Sequence, residues 1–255
     1  MATRARDLSL LFAPESDAPR LTWTGLACTG AIYATYAAVA AHGLAPWVLA
    51  LVTALLVPRW MIAVHELFHL RSEREVDPVT RLQPLVFTPL SLGYRENLVN
   101  HRSHHRFMGT PQDAEFYQLR GAPFAGLLNA FTAPEQMWFR WIAEHGLDRR
   151  LALETAARAI LFGGLLLASP AAFLWYWVPA RIAFGASYFV FFYALHRRGT
   201  AMGVYPLVLP GWLARLLTAI YGSDVVEATR HHDVHHAQPR IAARKLAESR
   251  AMVTG

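Results

Sequence analysis

Two stretches of this 255-residue chain carry almost no charge, and they restrict its fold before anything else does. Trp23 to Ala41 is nineteen residues without Asp, Glu, Lys or Arg, and Ala159 to Leu195 is thirty-seven residues with Arg181 alone. In hydrocarbon every backbone N–H and C=O must find a partner within the chain, so runs of this length are transmembrane helices. The longer run is too long for one crossing and suits two, turning near Pro179, with Trp175, Tyr176 and Trp177 as an aromatic belt at the bend. Val48 to Val64 supplies another crossing, kinked at Pro58. Its Arg59 either snorkels or pairs with a carboxylate. Apolar residues make up 54% of the chain, which agrees with four crossings.

The segments between the crossings divide by charge. The two short turns hold a single Arg, and every Arg-rich segment falls on the other side, which the positive-inside rule makes cytoplasmic. The formal charge of +6 follows from that bias and needs no nucleic acid; anionic headgroups or an acidic redox partner are the other readings. The N-terminal twenty residues are charged, lack the apolar run of a signal peptide and read as a tail. Residues 71–81 read as a water-facing loop. Gln83 to Gly93, apolar with two prolines, is too short to span and reads as interfacial or re-entrant. Arg95 to Phe107 reads as a helix ended by Gly109 and Pro111. Pro134 to Glu144 mixes Trp138, Phe139 and Trp141 with charges and belongs in the headgroup plane. Trp212 to Tyr221 is amphipathic, Asp224 to His236 reads as one helix, and residues 237–255 as a loosely held basic tail. Cys28 is the lone cysteine, so no intramolecular disulfide forms. The expectation is a single all-α integral membrane domain, residues 1–255, with four transmembrane helices and a cytosolic helical cap.

Three histidine clusters lie on that cytoplasmic side. HELFH places His65 and His69 one helical turn apart. HRSHH places His101, His104 and His105 at i, i+3 and i+4, and RHHDVHH repeats the spacing with His232, His235 and His236. On a helix each such set falls within an arc of roughly 100°. With His196 at the end of the last span, nine imidazoles reach the cap. One zinc takes three or four ligands, so nine suit two metals with four or five nitrogens each. Imidazole alone does not choose among zinc, iron, copper and nickel. Iron is favoured because an all-nitrogen pair with open positions binds and reduces dioxygen, and zinc is an easy substitute in such a site. The second ring nitrogen of a ligating histidine needs a partner. Asp113 ranks first, with Glu115, Glu66 and Asp233 as further candidates and His231 as spare or supporting. His42 and His145 read as ordinary surface histidines.

These clusters, with HRSHH followed by GTPQDAEFY and RHHDVHH followed by a proline, resemble the membrane fatty acid desaturase superfamily of desaturases, hydroxylases and carotenoid ketolases. The resemblance runs from HELFH through the third cluster. It implies a non-haem di-iron centre facing the cytosol above four transmembrane helices, held by His65, His69, His101, His104, His105, His196, His232, His235 and His236. It implies dioxygen as co-substrate, two irons as cofactor and a location in a bacterial inner membrane. A fatty acyl chain is one implied substrate, to be desaturated or hydroxylated. A carotenoid to be ketolated or hydroxylated is the other, since the short length and LHRRGT look equally like bacterial beta-carotene ketolases. Acyl-CoA desaturases carry an Asn one turn before the isolated histidine, where this chain has Phe192. Electrons would arrive from a separate ferredoxin- or rubredoxin-type carrier, docking near Arg149, Arg150, Arg244 and Lys245. Two rival readings stand beside this one. HELFH also fits an intramembrane zinc protease with Glu66 as general base, which leaves at least six clustered imidazoles without a task. A metal transporter would place ionisable groups at mid-membrane, whereas these lie at span ends.

Overall fold

The computed structural model describes residues 17–70, 76–81 and 83–254; within them the backbone is helical apart from one short hairpin and the connecting loops. The N-terminal sixteen residues and residues 71–75 of the expected water-facing loop lie outside the described residues. The helices are α1 (Asp17–His42), α2 (Pro46–Leu70), α3 (Pro78–Arg81), α4 (Tyr94–Phe107), α5 (Pro123–Phe131), α6 (Ala133–His145), α7 (Arg149–Ala168), α8 (Pro170–Tyr188), α9 (Gly211–Tyr221), α10 (Ser223–Arg230), α11 (His232–Ala237) and α12 (Leu246–Thr254). A π-helical turn, Phe189–Ala194, extends α8, and β1 (Arg197–Arg198) pairs antiparallel with β2 (Ala201–Met202). Three helices are long and apolar enough to cross a membrane: Asp17–His42, Pro46–His69 and Arg149–Ala168.

The long helices hold their few polar groups inside themselves. In α1 the hydroxyls of Thr24, Thr29 and Thr35 each donate to the carbonyl four residues back, which satisfies them without water. Between α7 and α8 the chain turns at Ser169, not near Pro179. The Ser169 hydroxyl accepts from the Ala172 N–H at 3.3 Å and Pro170 takes the first helical position, a standard helix start because that N–H has no intrahelical partner. Pro179 lies inside α8, so Trp175, Tyr176 and Trp177 are mid-helix residues rather than a belt at a bend. Among the described residues Arg59 meets no carboxylate; its Nη2 donates to the Ile220 carbonyl at 2.7 Å, near the C-terminus of α9.

The segment 83–93 is irregular yet buried, with Leu85, Val86, Phe87 and Leu92 all below 6% exposed. Such a backbone survives away from water only if side chains meet its polar groups, and here they do. The Tyr33 hydroxyl donates to the Pro84 carbonyl at 2.7 Å and accepts from the Val86 N–H at 3.1 Å. Tyr176 donates to the Val86 carbonyl at 2.6 Å and the Trp177 indole to the Phe87 carbonyl at 2.9 Å. Arg158, buried in α7, donates to the Ser91 carbonyl at 2.7 Å. Four side chains from three long helices thus hold the segment that was expected to be interfacial or re-entrant. The same aromatic residues continue into the main core with Ile32, Leu49, Val57 and Trp60.

Both termini depart from the tails expected. Asp17 and Ala18 are buried where a tail to residue 20 was expected. Ile241, Ala242, Ala243 and Leu246 are buried too, Arg244 bonds Asp17 at 2.8 Å, and Arg250 holds Asp233. Apolar burial and paired charge outweigh the basic composition that made this segment look loose.

Candidate metal centre

α2, α4 and α11, together with the turn after α8, deliver all the clustered histidines to one place. Ligand-capable atoms of His65, His69, His101, His105 and His235 lie within 4.8 Å of one another, and those of His104, His196 and His236 form a second such group. His232 adjoins the second group, its ring centroid 4.9 Å from His196 and 4.7 Å from His236. The groups abut, since the His105 and His236 rings stack at 4.1 Å. Two donors at right angles on one ion with 2.1 Å bonds stand about 3.0 Å apart. The observed Nε2–Nε2 separations are 2.8 Å for His101–His69, 3.3 Å for His104–His196 and 3.1 Å for His196–His236.

Protons decide what those short separations mean. His104 Nδ1 stands 2.9 Å from Asp113 Oδ2, His65 Nδ1 3.2 Å from Glu66 Oε1, and His196 Nδ1 2.9 Å from the Phe191 carbonyl. Each partner is an acceptor, so in the neutral ring Nδ1 carries the hydrogen and Nε2 a bare lone pair. His104 and His196 therefore point lone pairs at each other across 3.3 Å. Both ring nitrogens of His105, His232 and His235 are buried without a hydrogen-bond partner among the described residues. Buried polar atoms are ordinarily paired, and convergent unpaired nitrogens fit a cation held between them. Burial first, and then the neighbouring imidazoles, depress the pKa of His101, His232 and His235 well below the ordinary histidine value. The same causes bring His105 to about 3. All four are held in the neutral, metal-binding form. For His104 burial pulls the same way, yet the Asp113 hydrogen bond with the charges of Glu115 and Asp113 outweighs it and raises the value.

The turn after α8 shows how local structure aims a ligand. Its π register bonds the Leu195 N–H to the Val190 carbonyl at 3.0 Å, and the Phe191 carbonyl takes the His196 ring. Irregular turns of this kind recur at functional sites. Phe192 packs 5.3 Å from the His104 ring and 4.0 Å from Tyr188, so an apolar ring occupies the place where the resemblance expects a water-holding Asn.

The other supporting residues separate clearly. Asp113 also accepts the Glu115 N–H at 2.9 Å. Glu115 accepts from the Tyr188 hydroxyl at 3.1 Å and lies 3.7 Å from His104 Nδ1. Burial, aided by the Asp113 charge, raises Glu115 to about 7. Both Glu66 oxygens are engaged, by His65 and by the Ala243 N–H at 3.1 Å, which suits an orienting carboxylate better than a general base. Among the described residues Asp233 bonds no imidazole of the cluster; it is held by Arg250. α10 and α11 are two helices rather than one, broken at His231 (φ −116°, ψ 35°). His231 faces Glu227 at 3.2 Å and Arg250 at 2.8 Å, away from both groups. Tyr188 and the Ala243 N–H were invisible in the sequence: one is an aromatic residue in an apolar run, the other a backbone group.

A cavity of about 110 Å³ reaches this cluster, lined by His65 and His101 at one end and by Trp60, Phe87, Met137 and Phe184 elsewhere. The chain matches no family model, no curated protein and no solved structure.

Proposed function

We propose that this protein is an integral membrane di-iron oxidase that uses dioxygen to oxidise an unactivated C–H bond of a lipid. The carrying observation is the pair of adjacent histidine groups whose ring nitrogens converge, with the neutral His104 and His196 rings turned lone pair to lone pair. In this reading α8 with its π turn is the fourth crossing, and the cap faces the cytoplasm of a bacterial inner membrane. His65, His69, His101, His105 and His235 would hold one metal; His104, His196, His236 and the adjacent His232 would hold the other. When bound, iron at such a site supplies the binding and reduction of dioxygen. Glu66, Asp113 and the Phe191 carbonyl hold the imidazoles in the ligating tautomer. The cavity walls keep water from the reacting carbon and admit an alkyl chain or isoprenoid beside His65 and His101.

Desaturation consumes one dioxygen, two electrons and two protons and releases two waters; hydroxylation with the same inputs inserts one oxygen and releases one water. Repeated oxidation at one carbon gives the ketone of the carotenoid alternative. The mostly apolar lining of the cavity does not choose between the two substrates, and the departure at Phe192 weighs against an acyl-CoA desaturase in particular.

Metal analysis and Mössbauer spectroscopy of iron-loaded protein, beside mass spectrometry of fatty acids and pigments from a carotenoid-producing bacterial host, test the reading. Two irons per chain and a newly unsaturated, hydroxylated or keto product are expected. One equivalent of metal per chain, or peptide cleavage without lipid oxidation, would overturn it.

A further inference from the structure

The arginines outside the long helices differ in what they touch. Arg244 meets Asp17, Arg230 meets Glu227, and Arg250 meets Asp233. Arg102, Arg106, Arg120 and Arg140 are exposed, and among the described residues none of them meets a carboxylate. Three lie on aromatic rings instead: Arg106 on Phe107 at 5.1 Å, Arg120 on Phe116 at 5.3 Å and Arg140 on Tyr117 at 3.9 Å. A guanidinium seated on a ring keeps its charge and its donors available to a partner. Arg120 and Arg140 form walls of a cleft of about 370 Å³ between α4, the turn that follows it, and α6. Arg102 and Arg106 stand three residues beyond Val99 and Ser103, which also line it, and so flank it on the surface of α4.

Asp113 is among the residues lining this cleft, and its carboxylate is wholly buried beneath the surface. From its carboxylate one hydrogen bond of 2.9 Å leads to His104, whose Nε2 faces His196 inside the second histidine group. We propose that this cleft docks an acidic one-electron carrier protein and that electrons enter the metal centre through Asp113 and His104. The proposal rests on the oxidase reading above. Each docking oxidises the carrier by one electron, so two dockings supply the two electrons used per dioxygen, with the two protons drawn from water.

Charge placement favours a protein over a lipid headgroup. Glu144 in the wall and the buried carboxylate of Asp113 behind it disfavour a small anion in the cleft. A large partner instead sets its carboxylates on the arginine rim and stays outside. The face expected from sequence is less available: Arg150 bonds Glu154 at 2.8 Å and Arg244 bonds Asp17 at 2.8 Å.

The test uses full-length protein in nanodiscs, with a plant-type [2Fe–2S] ferredoxin as the acidic probe. Binding is measured on zinc-loaded protein, and ferredoxin reoxidation on iron-loaded protein. The double variant Arg120→Glu, Arg140→Glu should bind at least tenfold more weakly, reoxidise ferredoxin correspondingly more slowly at subsaturating carrier, and lose most of the salt dependence. Arg215→Glu, an isolated exposed charge change on α9, should alter binding less than twofold, and reduction by dithionite should be unchanged in all variants. Unaltered ferredoxin binding by the double variant, or an equal loss from Arg215→Glu, would overturn the docking site. So would retained ferredoxin binding with lost affinity for phosphatidylglycerol vesicles, which would mark a headgroup site. Failure of dithionite-reduced wild-type protein to consume dioxygen would instead sink the oxidase reading, and the zinc-loaded binding arm would still report on docking.

Discussion

Removing the Asp113 carboxylate should weaken one metal and spare the other. In Asp113→Ala the His104 Nδ1–H loses its 2.9 Å acceptor, so the ring is free to rotate and to change tautomer. Loss of such a partner typically costs 10- to 100-fold in metal affinity, about 1.4–2.7 kcal/mol. His104 belongs with His196 and His236, whereas His65, His69, His101, His105 and His235 form the other group. The penalty should therefore fall on a single equivalent. Glu66→Ala supplies the crossed control, because Glu66 orients His65 and its loss should weaken the other equivalent. Chelator competition with zinc, a redox-silent probe, resolves two binding steps. The expected result is one weakened step in each variant and both in the double variant. Asp113→Ala also frees the buried Glu115 N–H, at about 1 kcal/mol of folding stability, so a denaturation curve of each metal-free variant separates that loss from the affinity change. Equal weakening of both steps by either single variant would refute the division into two sites.

His104→Ala should lose metal and activity, whereas His145→Ala should do little, since His145 is exposed and stacked on Trp141 at 4.1 Å; metal content and turnover compare them directly, and equal damage would break the ligand assignment. Tyr176→Phe should destabilise the protein by about 1–3 kcal/mol by orphaning the buried Val86 carbonyl, and Tyr33→Phe by more, because its hydroxyl serves both Pro84 and Val86; denaturant unfolding in detergent reads both. Glu115 is raised from 4.5 to about 7, so in metal-free protein the stability it contributes is complete below its unfolded value and is lost as pH rises through about 7. The loss is on the order of 3 kcal/mol, and Glu115→Gln should flatten the melting temperature between pH 4.5 and 7; an unchanged slope would contradict the shift.

Local periodicity made the histidines legible and could not make their supports so. The i, i+3, i+4 spacing of His101, His104 and His105 fixes a helix face, and Asp113 lies near enough in sequence to fold back onto it. The second partner of Glu66 is the N–H of Ala243, 177 residues away, and a backbone donor leaves no mark in a sequence. The turn in the second apolar run was misplaced because two prolines compete there. Pro170 follows a capping serine and starts a helix, while Pro179 is carried inside α8. The single helix expected over residues 224–236 broke at His231, where Glu227 and Arg250 hold the ring outward. The basic tail packed because Ile241, Ala243 and Leu246 count for more than the arginines between them.

Four separate pieces of chain meet at the histidines, and each is held from outside the cluster. Glu66 ties α2 to the segment before α12, Asp113 ties α4 to its own following turn, and the Phe191 carbonyl fixes His196. α11 stands on α12 through Asp233 and Arg250. None of these contacts relieves the convergence of nitrogen lone pairs at the centre. Packing thus brings together groups that repel one another unless a cation lies between them. A metal bound here would find its site already organised, and part of its binding free energy would offset that unfavourable arrangement. Asp113 supports one imidazole from below an arginine-rimmed cleft, so in the docking proposal the group that orients His104 is also the one that lies between it and the surface.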